Sequence, residues 1–144
     1  MPEHALWNLS RAFHEAITQK RPDLLNEHLD ENIDWAVYGP IDMFPFLGAR
    51  TGRTAVLEAC AQIAEYTRIV GMDRERTLLG DNEAAALLRY SLIPKNSVRP
   101  ISIRLAHFCT FKDDKLTHVR AVIDTFDLVE QSLGRPINLP KIPQ

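Results

Sequence analysis

Cysteine is scarce in this chain, with two in 144 residues. Cys60 and Cys109 fall on different expected elements and read as buried, reduced thiols rather than a disulfide framework. No pair of residues shows the HExxH or CxxC spacing of a metal site, so no metal is expected. Positive charge is not in excess: 17 Lys and Arg face 19 Asp and Glu, a net charge of -2. The two signs are mixed and form no basic stripe, which argues against nucleic acid as a partner. No apolar run is long enough to cross a bilayer, so no membrane partner is expected. The opening MPEHALWNLSRAF has no basic stretch followed by an apolar one, so no secretory leader is expected and the cytoplasm is the expected compartment. No GxSxG, P-loop or dinucleotide glycine motif is present. Ser91 and Ser102 lack a triad context. Nucleophilic catalysis and a nucleotide cofactor are thereby set aside, and no cofactor is expected.

What is present is an ordinary globular composition, 45% hydrophobic and 25% charged. The length suits one domain over residues 1–144, with a Pro-rich tail at 135–144 and no internal repeat. Leu6, Leu9, Phe13, Ala16 and Ile17 recur at helical spacing and predict a helix from Glu3 to Lys20. Pro22 suits the first turn of a second, short helix to Leu29. Ile33, Trp35 and Val37 alternate with Asp34 and Ala36, which predicts a strand from Asn32 to Val37. Pro40, Pro45 and Gly48 forbid regular structure next, yet Met43, Phe44 and Phe46 are too apolar to lie freely in water. Such a loop folds over something apolar: a pocket, a core edge or a partner chain. Gly48 to Gly52 reads as a turn, and Thr51 as the cap of a helix to about Tyr66. Arg53 opposes the macrodipole of that helix, so a specific partner is expected for it.

From Arg68 onward the pattern is that of strands: Arg74 to Leu79, Glu83 to Pro94, Pro100 to Lys112 and Lys115 to Asp127. Gly80-Asp81-Asn82 and Asp113-Asp114 form the turns, and Leu128 to Gly134 a terminal helical turn. Helices followed by hairpin-linked strands give an α+β domain with an antiparallel sheet. The strands are apolar on both faces over much of their length, which suggests a homodimer through the sheet.

The order of elements resembles the nuclear-transport-factor-2-like (NTF2-like) cone, and within it the SnoaL-like polyketide cyclase group. The residues that carry the likeness are Asn32-Ile33-Asp34-Trp35, Phe44-Pro45-Phe46 with Gly48, and Gly52-Arg53 at the start of the long helix. Asp113-Asp114-Lys115-Leu116 through Val122-Ile123-Asp124-Thr125 resembles that group's closing hairpin, which ends in an aspartate. The resemblance spans nearly the whole chain. It implies helices packed on a strongly curved antiparallel sheet, around a conical cavity closed by the loop after the first strand. Architecturally it is similar to ketosteroid isomerases, limonene-epoxide hydrolases and polyketide cyclases, and to members that only bind or associate. Phe13 stands where the isomerases carry a tyrosine, and Val37 or Tyr38 where they carry an aspartate base. Arg89 and Asp124 match two members of the epoxide-hydrolase triad, while Ser91 stands in place of the third.

Asp124 is the first catalytic candidate, because the resemblance implies an acid/base aspartate near this position. An acid in an apolar cone has its pKa raised towards neutrality, which suits proton transfer. It could equally cap the strand end or pair with an arginine such as Arg53. His107, inside an apolar strand, is either a proton shuttle or a satisfied core histidine. Arg89, Arg104 and Arg120 lie mid-strand; the outward orientation is favoured for them, and Arg89 is the one that could hold an oxyanion. Trp35, Tyr38, Phe44 and Phe46 form the expected apolar wall and lid, with plain core as the alternative. Together these residues suggest a cofactor-free isomerase, cyclase or hydrolase acting on a small hydrophobic, oxygen-bearing molecule. The alternative is a non-catalytic binding or dimerisation module.

Overall fold

The computed structural model describes residues 3–143. Helix α1 spans Ala5–Thr18, with Leu6, Ala16 and Ile17 buried on one face. Its cap is His4, whose Nδ1 accepts from the Leu6 N–H at 3.0 Å while Nε2 lies 2.8 Å from the Gly80 carbonyl. One ring thus satisfies an orphan helix donor and ties the helix to a distant hairpin turn. A 3₁₀ helix follows at Pro22–His28, led by Pro22, whose missing N–H costs nothing at a helix start. The chain then enters β1 (Leu29–Tyr38), longer than the expected Asn32 to Val37.

The segment expected as a turn, Gly48 to Gly52, contains a four-residue strand, β2 (Gly48–Thr51), paired antiparallel to β1. Gly48 at φ +97° and Gly52 at φ +90° bracket it, in backbone conformations that side chains strongly disfavour. Helix α2 runs Arg53–Tyr66, and its cap position is Gly52 rather than Thr51. Arg53 points its guanidinium at the Leu29 carbonyl, 3.5 Å away, the kind of partner its place in the first turn requires.

Four long strands complete the sheet: β3 (Thr67–Leu79), β4 (Glu83–Pro94), β5 (Ile101–Lys112) and β6 (Lys115–Ile123). The order is β2-β1-β6-β5-β4-β3 in a single six-stranded sheet. All neighbours are antiparallel except β1 and β6, which run parallel. The strand expected to run on to Asp127 stops at Ile123, and helix α3 begins at Thr125 and ends at Leu133. The physical reason is the Asp124 side chain, which accepts from the Asp127 N–H and caps α3. The architecture is therefore α+β, with the helices packed on one face of a curved, unclosed sheet.

The core is not uniform. Leu6, Leu25, Leu29, Ile33, Val56 and Leu116 pack where α1, the 3₁₀ helix and α2 meet β1 and β6. A second cluster, Phe44, Leu47, Ile101, Ile123 and Leu128, lies under the aromatic loop and α3. Between the two the packing opens into a cavity. No helix among the described residues is long and apolar enough to cross a membrane.

Candidate active site: an apolar cavity with a cation in its wall

Alternation along the strands decides what faces the helices. In β4 the inward residues are Ala84, Ala86, Leu88, Tyr90 and Leu92, and in β5 Ile103, Leu105, His107 and Cys109. Cross-strand register places Ala86 on one side of His107 and Ala121 on the other. Two methyl side chains where Leu88 and Ile123 stand a row away leave space around the imidazole. The result is a partly open cavity of about 200 Å³ whose lining is overwhelmingly apolar.

Phe44, Phe46 and Tyr66 wall one end, their ring centroids 5.4 to 5.9 Å apart. Phe44 is buried, while Met43 remains 41% exposed. The loop that carries them is held from below by Arg50, whose guanidinium donates to the Pro45 carbonyl at 2.7 Å and the Leu47 carbonyl at 3.2 Å.

The polar groups of the cavity are few. His107 is largely buried, and burial first, then the nearby Arg74 charge, lowers its pKa to about 4. It is a neutral imidazole at pH 7, and its Nε2 has no hydrogen-bond partner. Arg74 enters from β3, where the register shifts between Arg74 and Arg76. Such a bulge re-aims side chains. Here Arg74 lines the cavity, while Glu75 sits on the opposite face with Arg89 and Arg104. The Arg74 guanidinium donates to the Ser10 hydroxyl and lies 4.8 Å from the centre of the Trp7 ring. Its Nη1 is buried without a partner, as is Nε1 of Trp35. Burial also raises the Tyr90 hydroxyl above its ordinary pKa, against the opposing charge of Arg74. Cys109 lines the space as well, and burial pushes its thiol up to about 12, so it is no nucleophile.

Of the residues singled out in the sequence, the structure brings together His107, Trp35, Phe44 and Phe46 around this cavity. Asp124 stands outside it, on the exposed surface at the start of α3, with its carboxylate committed to the cap. Arg89 is on the outer face of the sheet, its Nε 3.4 Å from Glu75. Arg104 shares that carboxylate at 3.1 Å, and Arg120 pairs with Asp34 at 3.0 Å, also on the outer face. Strand alternation separates Arg89 from the cavity, since its neighbours Leu88 and Tyr90 face in. Tyr38 is 53% exposed on the outer face, one residue beyond inward Val37. Arg74 is the residue that sequence reading missed. A charged run, Arg74-Glu75-Arg76, reads as solvated strand, and the bulge that turns one of its members inward leaves no mark in the periodicity.

No protein-family model matches the chain, and neither does any curated protein. Solved structures do. A "Putative Isomerase from Rhodopseudomonas palustris" is 54% identical, with a TM-score of 0.91 over 94% of this chain and 100% of that one. An NTF2-like protein of unknown function from Burkholderia pseudomallei superposes with a TM-score of 0.70 at 13% identity, over 89% of this chain and 97% of that one. A protein with a ketosteroid isomerase-like fold from Catenulispora acidiphila, solved with trimethylamine, gives 0.70 at 13% identity, covering 92% and 97%. Helices folded over a curved six-stranded sheet, with a cavity between, define the ketosteroid isomerase-like class of architecture. The chain has the NTF2-like fold.

Proposed function

We propose that the cavity is the site of a cofactor-free isomerase, or of a related SnoaL-like cyclase or hydrolase, acting on a small, largely apolar molecule that bears oxygen. The observation that carries this reading is the apolar cavity with His107 and Arg74 in its wall. Neutral imidazole can give or take a hydrogen bond at the reacting oxygen, and a fixed cation beside it favours charge that develops there. Burial strengthens both effects, because little water screens them. The 54% identical protein, described as a "Putative Isomerase", supports the same reading.

Asp124 plays no part in this scheme. The acid/base function that the resemblance implied for it has no counterpart inside, since no carboxylate lines the cavity among the described residues. That absence favours a second reading, a module that binds the same class of molecule without converting it. A histidine held near pKa 4 is a weak base for carbon acids.

The two are separated by ligand capture followed by turnover. Incubation with a library of small aromatic and alicyclic ketones, enones and acids, with mass spectrometry of what is retained and what is changed, is expected to show both binding and an altered product. In His107→Gln the product is expected to fall at least 100-fold, while Asp124→Asn leaves it within twofold. Binding without product supports the module. No retained compound removes the pocket reading altogether.

The same reading includes a second copy of the chain on the outer face of the sheet. Leu78, Ala85 and Phe108 form one cross-strand row there, and Leu87, Ala106 and Val122 the next. Leu78, Phe108 and Val122 are more than half exposed at 56%, 59% and 51%. The Glu75 cluster and the Asp34–Arg120 pair flank these rows, an apolar centre with a charged rim.

A further inference from the structure

We infer that the molecule held in the cavity is an anion, a carboxylate or an equivalent oxyanion on an apolar body of about one ring, and that Arg74 is the residue that selects it. This rests on the reading of the cavity as a ligand site.

The first ground is an unmet charge. Arg74 is partly buried, with Nη1 withdrawn from water, and a cation so placed is stabilised by an anion that faces it. Arg74 has a hydroxyl, Ser10, and an aromatic ring, Trp7, but among the described residues no carboxylate within ion-pair distance. Glu3 borders the same surface groove as Arg74. Its two carboxylate oxygens are already taken by Arg11, at 2.7 and 2.8 Å. Among the described residues no carboxylate is paired with the Arg74 guanidinium.

The second ground is the chemistry of the unpartnered atoms. Nη1 of Arg74 and Nε1 of Trp35 can only donate hydrogen bonds. The third, Nε2 of His107, donates or accepts according to tautomer. Arg74 and Trp35 both line the cavity and both carry only donors, which suits a guest rich in acceptors; a carboxylate offers about four lone-pair sites with none to donate. A neutral ketone offers half as many and leaves the cation unbalanced. An amine or ammonium guest would add donors and like charge.

The third ground is size. An enclosed apolar space of about 150 Å³ takes a benzene molecule. The volume here, about 200 Å³, suits one ring with a short acidic arm. The aromatic end formed by Phe44, Phe46 and Tyr66 would hold the ring.

The test uses two matched probes, 3-phenylpropanoate and 3-phenylpropan-1-ol, titrated by calorimetry into the full chain. The wild-type protein is expected to bind the carboxylate at least tenfold more tightly than the alcohol. Arg74→Met is expected to remove that preference while leaving the alcohol within twofold, and Arg74→Lys to retain part of it. Circular dichroism reports folding, and Arg74→Lys together with the wild-type pair decides the matter if Arg74→Met does not fold. Equal affinity for both probes on the wild type overturns the anion proposal but leaves the cavity as a ligand site. A carboxylate preference that survives in Arg74→Met overturns the role of Arg74. Binding of neither probe removes the ligand reading and this proposal with it.

Discussion

At the scale of single residues, His107 shows how environment decides chemistry. Its lowered pKa means that the unfolded chain binds a proton between pH 6.5 and about 4 while the folded chain does not. Stability is then complete above about pH 6.5 and is lost as pH falls towards 4, by roughly 3 kcal/mol at about 1.4 kcal/mol per pKa unit. Denaturant titrations of the wild type at about pH 7 and about pH 4.5 are expected to show this slope, and His107→Leu to flatten it. An equal slope in both proteins would place the proton elsewhere. His107 was legible in the sequence because a lone histidine among apolar neighbours on a strand stands out. Asp124 stood out for the same reason and ended elsewhere. The difference lies on the C-terminal side of each residue: Asp124 has Asp127 three residues on, with its N–H free to be capped. That spacing is a helix-start signal that competes with the strand pattern leading up to it. Arg74 was not legible, because only the pairing register of β3 with β4 turns it inward.

Among the elements, the stretch from β1 to α2 carries most of the design. Phe44 and Phe46 fold inward as their apolarity demands, and Arg50 supplies the carbonyl partners that a loop without regular structure needs. The short β2 that comes after the loop is placed by two glycines with positive φ. At Gly52 an added Cβ would meet nothing closer than the Glu31 carbonyl oxygen at 3.8 Å. The objection to a side chain there is therefore backbone strain and not crowding. Gly52→Ala is expected to destabilise the protein by about 1–3 kcal/mol, read as a lower midpoint in chemical denaturation. A change of under half that lower figure would show that β2 and the start of α2 adjust without strain. The aromatic loop was legible from its composition alone. The strand β2 was not, because four residues are too few to show a period of two.

For the molecule as a whole, the open question is what covers the outer face of the sheet. A two-fold dimer presents the same patch on both partners, so one substitution acts twice. Sedimentation of the wild type is expected to give the mass of two chains, and Phe108→Asp that of one with unchanged circular dichroism. A monomeric wild type at tens of micromolar would leave that face to another partner or to water. The cavity should survive the change, since Phe108 and His107 point to opposite sides of β5.

Periodicity, proline and glycine placement, and the run of strands after the helices were enough to determine the α+β class, the order of nearly all elements and an apolar loop that folds over something apolar. They suffice because each depends on residues close in the chain. Only the tertiary structure decided the parallel pairing of β1 with β6, the inward turn of Arg74 and the exile of Asp124 and Arg89 from the site. All but the exile of Asp124, which its cap of α3 decides, depend on strand register, and a shift of one residue in register exchanges the two faces of a sheet.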